Sequence, residues 1–354
     1  MNLSPLFWIL GLLAVIVTVF LALGARAKAR LKKQYPPVGQ TTDIGGYRLH
    51  MHVEGTGSPT VVLDAGAGGI GLTWELVRPA ITKVTRVIVY DRAGLGWSDP
   101  SPKPRTVDVM AEELHTLLRN AKIEGKYVLV GHSLGGPVAR QFAARYPNEV
   151  AGLVMVDSAH EQQVKHFPER LVKMVNSMKG MMGLMKLMSR LGLSALRPGL
   201  IDIGDHGKLS SEIAAQMRGV IASSESHAET LIAETESVYG APTQPVATLG
   251  DLPLTVISHG RLDANAVPPS LGPEVRDEYE RSWQELQTEI TALSTRGRRI
   301  VAERSGHNVI YDQPEIVIES ILEMVKTTRH ESGLDAALPA YQYHPHRSHD
   351  AQPM

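Results

Sequence analysis

Ser133 stands in the run Gly131-His132-Ser133-Leu134-Gly135-Gly136, between an apolar stretch, YVLV at 127–130, and a helix-like one, PVARQFAARYP. Strand, GxSxG turn and helix in that order hold a serine hydroxyl at the tip of a strained turn, exposed above a sheet. Gly131 and Gly135 let the backbone pass closely there, and the following helix aims its N-terminal amides and positive dipole end at the same spot. A serine hydroxyl attacks only once a base removes its proton, so the turn demands a histidine late in the chain and an acid before it. His307, in SGHNV, follows the apolar run RIVA at 299–302, and Asp263, in HGRLD, follows LTVIS at 254–258. His307 is the expected general base and acid, and Asp263 the group that fixes its tautomer and stabilises the imidazolium.

These residues need a sheet whose C-terminal strand ends meet on one edge. Short, continuous apolar runs supply it: TVVLD (60–64), RVIVY (86–90), YVLV, LVMV (153–156), LTVIS and RIVA. Such runs suit parallel strands covered on both faces, and amphipathic stretches at 107–120, 138–145 and 315–328 alternate with them. The fold class is α/β with three layers. Residues 41–160 and 251–330 form the two parts of the core, interrupted at 161–250 by a strandless, methionine-rich helical cap. Met174, Met178, Met181, Met182, Met185 and Met188 fall mostly on one helical face. That stripe packs on the core or covers an apolar substrate, with Met181 and Met185 as the candidate contacts. Residues 331–354 show no sustained period and read as a disordered tail, and His344, His346 and His349 within it as solvated side chains rather than a metal site.

The chain resembles the α/β-hydrolase superfamily, in its lid-bearing serine esterase branch. The resemblance spans residues 41–330 and rests on VVLDAGAGG, YDRAGLGWSDP, GHSLGG, VDSAH, HGRLDANAVP and SGHNV followed by DQPE, in the family's order. It implies an oxyanion hole formed by the backbone amides of Ala67 and Leu134, with Gly66 as the alternative to Ala67. Many relatives carry His-Gly where this chain has Ala65-Gly66, but the donor is an amide, so the hole should survive. Some relatives place the acid one strand earlier, which makes Asp157 the alternative to Asp263. The serine excludes the aspartate-dependent dehalogenases and epoxide hydrolases of this fold and the cysteine-dependent dienelactone hydrolases. The expected activity is hydrolysis of a carboxylic ester through an acyl-enzyme, without a cofactor. The alternatives are a lactonase, a carbon–carbon bond hydrolase, a cofactor-free haloperoxidase, or a non-catalytic ligand-binding protein.

Gly66-Ala67-Gly68-Gly69-Ile70-Gly71 also satisfies a dinucleotide fingerprint, with Asp91 in the place of its acid. That reading leaves the serine turn, HGRLD and SGH unused. His50 and His52 share a strand face without a third metal ligand nearby. Trp97, in YDRAGLGWSDP, is a loop-stabilising residue or a substrate contact.

The 354 residues carry 36 Lys and Arg against 37 Asp and Glu, which argues against nucleic acid as a partner. The absence of cysteine removes disulfides, thiolate metal sites and a cysteine nucleophile. Residues 1–25 hold no charged side chain, and Arg26, Lys28, Arg30, Lys32 and Lys33 follow directly. This pattern predicts a single transmembrane anchor with the body on the cytoplasmic side. The alternative is a cleaved signal peptide and secretion, with Ala22, Gly24, Ala25 and Ala27 as cleavage candidates. Residues 26–40 read as a basic flank and linker.

Overall fold

The computed structural model describes residues 5–177, 179–240, 244–263 and 266–333. The first helix, α1 (Pro5–Gln34), is followed by the antiparallel pair β1 (Gln40–Asp43) and β2 (Arg48–Glu54). Then come β3 (Thr60–Asp64), α2 (Arg78–Ile81), β4 (Val87–Tyr90), α3 (Val107–Asn120), β5 (Tyr127–His132), α4 (Gly135–Arg145) and β6 (Val150–Val156). Among the described residues, six α-helices separate β6 from the next strand: α5 (Gln163–His166), α6 (Glu169–Ser177), α7 (Lys179–Arg190), α8 (Leu193–Leu196), α9 (Ser211–Ser223) and α10 (His227–Tyr239). The chain closes with β7 (Leu254–His259), α11 (Pro273–Ala292), β8 (Gly297–Ala302), α12 (Val309–Asp312) and α13 (Pro314–Glu331).

The eight strands order as β1-β2-β4-β3-β5-β6-β7-β8, antiparallel from β1 to β4 by way of β2 and parallel from there to β8. The class is α/β with a mostly parallel sheet. In β3, Thr60–Asp64 are all buried, because side chains on both faces meet helices. On one face Val61, Leu63, Val128 and Val154 join Trp74, Ile81 and the α13 residues Val317, Ile321 and Val325. On the other, Val62, Leu129 and Met155 join Leu114 and Leu117 of α3 and Val138 and Phe142 of α4. Burying each such side chain contributes roughly 1.5–3 kcal/mol. The α3 N-terminus is fixed by Thr106, whose hydroxyl accepts from the Val109 amide at 3.3 Å.

The expected flank and linker at 26–40 divides differently. Residues 26–34 continue α1, because Ala27 and Leu31 bury against Ala195 of α8 and Ala222 of α9. Gly24 packs on the backbone of Leu191 and Gly192, an approach that a side chain at either glycine would prevent. By length and composition α1 can cross a bilayer: mean hydropathy reaches 2.6, and only 6% of the apolar window is buried. Residues 334–354 and Met178 lie outside the described residues, and with them the tail histidines; α13 itself extends to Glu331.

Candidate active site

Each parallel strand delivers a polar residue to its C-terminal end: Asp64 from β3, Asp91 from β4, Ser133 from β5, Asp157 from β6, His259 from β7 and, past β8, His307. Ser133 adopts φ 50°, a left-handed conformation costing a non-glycine residue on the order of 1–3 kcal/mol. Packing holds it there. A side chain at Gly131 would strike the Gly135 carbonyl, and one at Gly135 the Asp64 carbonyl. The Ser133 carbonyl accepts from the amides of Gly136 and Ala159, both at 3.0 Å. Its side chain is partly exposed and lies against Gly66.

The carboxylate that meets His307 is Asp157, not Asp263. His307 Nδ1 donates to Asp157 Oδ2 at 2.6 Å, and an imidazole has one Nδ1 hydrogen to give. Asp157 is fully buried at φ 40°, where the backbone turns sharply out of β6. Its Oδ1 accepts from the His259 amide at 3.0 Å and from Trp283 Nε1 at 2.9 Å, and Oδ2 accepts also from His259 Nδ1 at 2.8 Å. Burial alone would raise this carboxyl, but the His259 charge and the hydrogen bonds from both histidines outweigh it and hold Asp157 well below the usual carboxylate range. Asp263 sits instead on the loop after β7, its side chain against Gly306, in an open depression with Arg261, Arg304 and Asp312. Both carboxylates thus lie near the His307 loop, and the left-handed turn at 157 brings that of Asp157 to His307 Nδ1.

His259 occupies a specific position beside Asp157. Its Nε2 reaches Glu280 Oε2 at 3.1 Å while Nδ1 reaches Asp157, so both ring nitrogens face carboxylates. Burial would lower it, but the Asp157 charge, then the hydrogen bonds it donates to Asp157 and Glu280, raise it to about 10. It is therefore an imidazolium at neutral pH, donating from both nitrogens. His132 is its opposite. Burial first, then the neighbouring His307, lowers it to about 3, and its Nε2 donates to the His307 carbonyl at 3.0 Å. A neutral histidine thus holds the His307 backbone while Asp157 holds its ring. Trp283 stands edge-on to the His307 ring at 5.7 Å between centroids.

On the opposite side lies the loop after β3. Of the amides from 66 to 69, that of Gly68 donates to Glu234 Oε2 at 2.8 Å and that of Gly69 to the Gly66 carbonyl at 2.9 Å. The amides of Ala67 and Leu134 meet no protein acceptor among the described residues. Arg92, fully buried, shapes this loop: Nη1 donates to Asp64 Oδ1 at 2.5 Å and to the Ala65 carbonyl, and Nη2 to the Gly66 carbonyl, both at 2.6 Å. Glycines 66–71 serve this turn, and Asp91, with an Oδ1 that accepts from the Gly71 amide at 2.7 Å, is consumed in holding it.

A cavity of about 680 Å³ opens from this loop into the helical insert. Gly66, Ala67 and His132 border it on the sheet side, and Met185, Leu231 and Ile221 are among its apolar walls. Met185 thus lies where the sequence suggested. Met181 does not: it is exposed on α7 and outside the cavity, because α7 turns most of its apolar face outward rather than onto the core. Trp97 is no part of the cavity either, since its Nε1 donates to the Tyr35 carbonyl at 3.1 Å and its ring lies beside His50. His50 bonds Asp91 and the Val38 carbonyl, and among the described residues no three acidic or histidine side chains gather as a metal site. Sequence reasoning missed Trp283, Glu234 and Glu280. The signal for the first was present, since Val275, Tyr279, Trp283, Leu286 and Ile290 recur at helical spacing.

Comparison with known proteins agrees with this architecture. Residues 59–182 match the family described as alpha/beta hydrolase fold. The probable transporter efuK of Hormonema carpetanum is 28% identical over 80% of this chain, which spans only 42% of that relative's length. Among solved structures, the epoxide hydrolase CorEH superposes with a TM-score of 0.62 at 21% identity, covering 82% of this chain and 99% of its own. A thermophilic esterase from Thermogutta terrifontis superposes with 0.55 at 23%, covering 81% and 97%. The chain is an α/β-hydrolase-fold protein.

Proposed function

We propose that the protein is a membrane-anchored serine hydrolase of apolar carboxylic esters, acting through an acyl-enzyme. The observation that carries this reading is the buried, ionised Asp157 bonded to His307 Nδ1, at the same sheet edge as the strained serine turn. With Nδ1 protonated, Nε2 of His307 is the basic nitrogen, free to take the Ser133 proton as Oγ attacks the ester carbonyl. Asp157 stabilises the imidazolium that results. The amides of Ala67 and Leu134 receive the charge that develops on the carbonyl oxygen. His307 then protonates the leaving alcohol, and water, activated by the same nitrogen, releases the acid.

Serine at the turn favours ester over epoxide chemistry, since it offers no carboxylate to open an epoxide by alkylation. The apolar walls and size of the cavity, within the range of small-ligand pockets, support a medium-length acyl or alcohol chain. The burial of Ala27 and Leu31 against the insert, and the seat of Gly24 on Gly192, support α1 as a retained anchor rather than a cleaved leader.

The test is hydrolysis of p-nitrophenyl esters from two to twelve acyl carbons, for the wild type, Ser133→Ala and His307→Ala. Activity abolished in both variants, with wild-type turnover rising beyond the acetyl ester, is the expected result. A folded wild type that is silent on every ester and unlabelled by a fluorophosphonate refutes it and favours a non-catalytic ligand-binding protein.

A further inference from the structure

We propose that the outward face of α7, together with Leu200, docks on a phospholipid bilayer, and that the cavity opens there, so that substrate enters from the membrane. The entry route rests on the ester-hydrolase reading; the docking surface does not.

The face is amphipathic and its polar side is occupied. Lys186 and Arg190 both reach Glu229 of α10 at 2.6 Å, which fixes α7 on the insert. The apolar side is left outward: Met181, Leu184, Met185, Leu187 and Met188 are all exposed, Leu184 by 57%, and Leu200 nearby by 80%. A soluble surface rarely strings such side chains together without a partner. An interfacial helix does, with its apolar face in the boundary between headgroups and acyl chains.

The position of α7 says which partner this is. At 1.5 Å per residue, the uncharged part of α1 from Phe7 to Leu23 reaches about 25 Å, close to the thickness of a hydrocarbon core. Gly24 therefore lies where α1 leaves the hydrocarbon, and Gly24 is the residue that packs on Leu191 and Gly192 at the end of α7. Lys28 of α1 ties the same end by donating from Nζ to the Arg190 carbonyl at 3.3 Å. The exposed Arg26, Arg30, Lys32 and Lys33 stand at headgroup level beside it. Met185, Met188 and Leu200 both line the cavity and lie exposed, so they form its rim. A bilayer that covers the outward face covers this rim.

The chain has no cysteine, so a single one can be placed and labelled. Full-length Leu184→Cys carrying an environment-sensitive nitrobenzoxadiazole is reconstituted in phosphatidylcholine vesicles, with Glu278→Cys on the exposed side of α11 as the reference. The expected result is blue-shifted emission at 184, quenched by lipid bearing a shallow doxyl group, and neither effect at 278. Emission at 184 equal to that at 278 overturns the proposal, as does a blue shift that doxyl lipid leaves unquenched, which would mean a second copy covers the face. A second arm uses Leu184→Asp/Leu187→Asp, residues outside the cavity. Hydrolysis of a long-chain ester dissolved in the vesicles should fall at least tenfold while that of water-soluble p-nitrophenyl butyrate stays at the wild-type rate. Equal loss on both substrates, or no loss on the vesicle ester, overturns the entry route. Wild type inactive on both substrates would instead count against the hydrolase reading, leaving the fluorescence result to decide the docking.

Discussion

Arg92 and Glu234 lie side by side with two matched bonds, Nε to Oε1 at 2.8 Å and Nη2 to Oε2 at 2.9 Å, and neither side chain reaches solvent. The two residues belong to different parts of the molecule, Arg92 to the loop after β4 and Glu234 to α10 of the insert. Because Glu234 also takes the Gly68 amide, and Arg92 the carbonyls of Ala65 and Gly66, the conformation of the loop beside Ser133 depends on where α10 sits. Glu234→Ala leaves a buried guanidinium short of one carboxylate, a change that costs about 3–5 kcal/mol. Urea unfolding should show that loss, and kcat on a p-nitrophenyl ester should fall by a factor on the order of ten or more through misplacement of the Ala67 amide.

The two candidate acids separate cleanly by mutation. Asp157→Asn keeps the shape but lets His307 adopt the wrong tautomer, and kcat should drop by roughly 10³–10⁴. Asp263→Asn, which leaves the bond between Asp157 and His307 Nδ1 in place, should leave kcat close to that of wild type. Parallel kcat measurements on the two variants decide the matter, and the opposite ranking would return the role to Asp263.

His259 makes stability depend on pH in the alkaline range. Its folded value of about 10 lies above the ordinary histidine value of 6.5, so the stabilisation from the imidazolium between Asp157 and Glu280 is complete below about pH 6.5. It declines as pH rises from there to about 10, where the folded protein also loses the proton. Thermal unfolding between pH 6.5 and 10 should therefore show a falling midpoint in the wild type. In His259→Gln the slope over that window should be shallower, with a lower midpoint at neutral pH.

Gly24→Leu tests the seat of α1. A side chain there would meet the Leu191 carbonyl and the backbone of Gly192, and overpacking of this kind costs about 1–3 kcal/mol. The unfolding midpoint in detergent should drop by several degrees, whereas Gly11→Leu, with open space around it, should leave it unchanged.

Much of this architecture was legible in the residues. TVVLD is β3 to the residue, 107–120 is α3 without adjustment, and the remaining strand runs differ from the structure only by a few residues at their ends. Ser133 and His307 could be picked out as candidates because the turn chemistry around them is local. The carboxylate that bonds His307 could not, because Asp157 and Asp263 both follow a strand in the same sheet. What distinguishes them is a backbone φ at 157 and three partners, His259, Trp283 and His307, that lie 102, 126 and 150 residues away. Long-range pairing of that kind leaves no period to read. The outward turn of the methionine stripe was hidden for a related reason: spacing reveals that α7 has an apolar face but not which neighbour, protein or lipid, the face is turned toward.

The packing of α1 on the insert also bears on which part of the molecule stands still. A covering domain over a cleft is ordinarily pictured as the moving piece on a fixed body. Here α1 packs on α8 and α9, which belong to the cover, and joins the sheet carrying Ser133 through residues 35–39. If α1 is held in a bilayer as proposed and the two parts separate, the larger mass moves and the cover keeps its station. The opening rate then answers to drag on some two hundred residues and to membrane viscosity hardly at all.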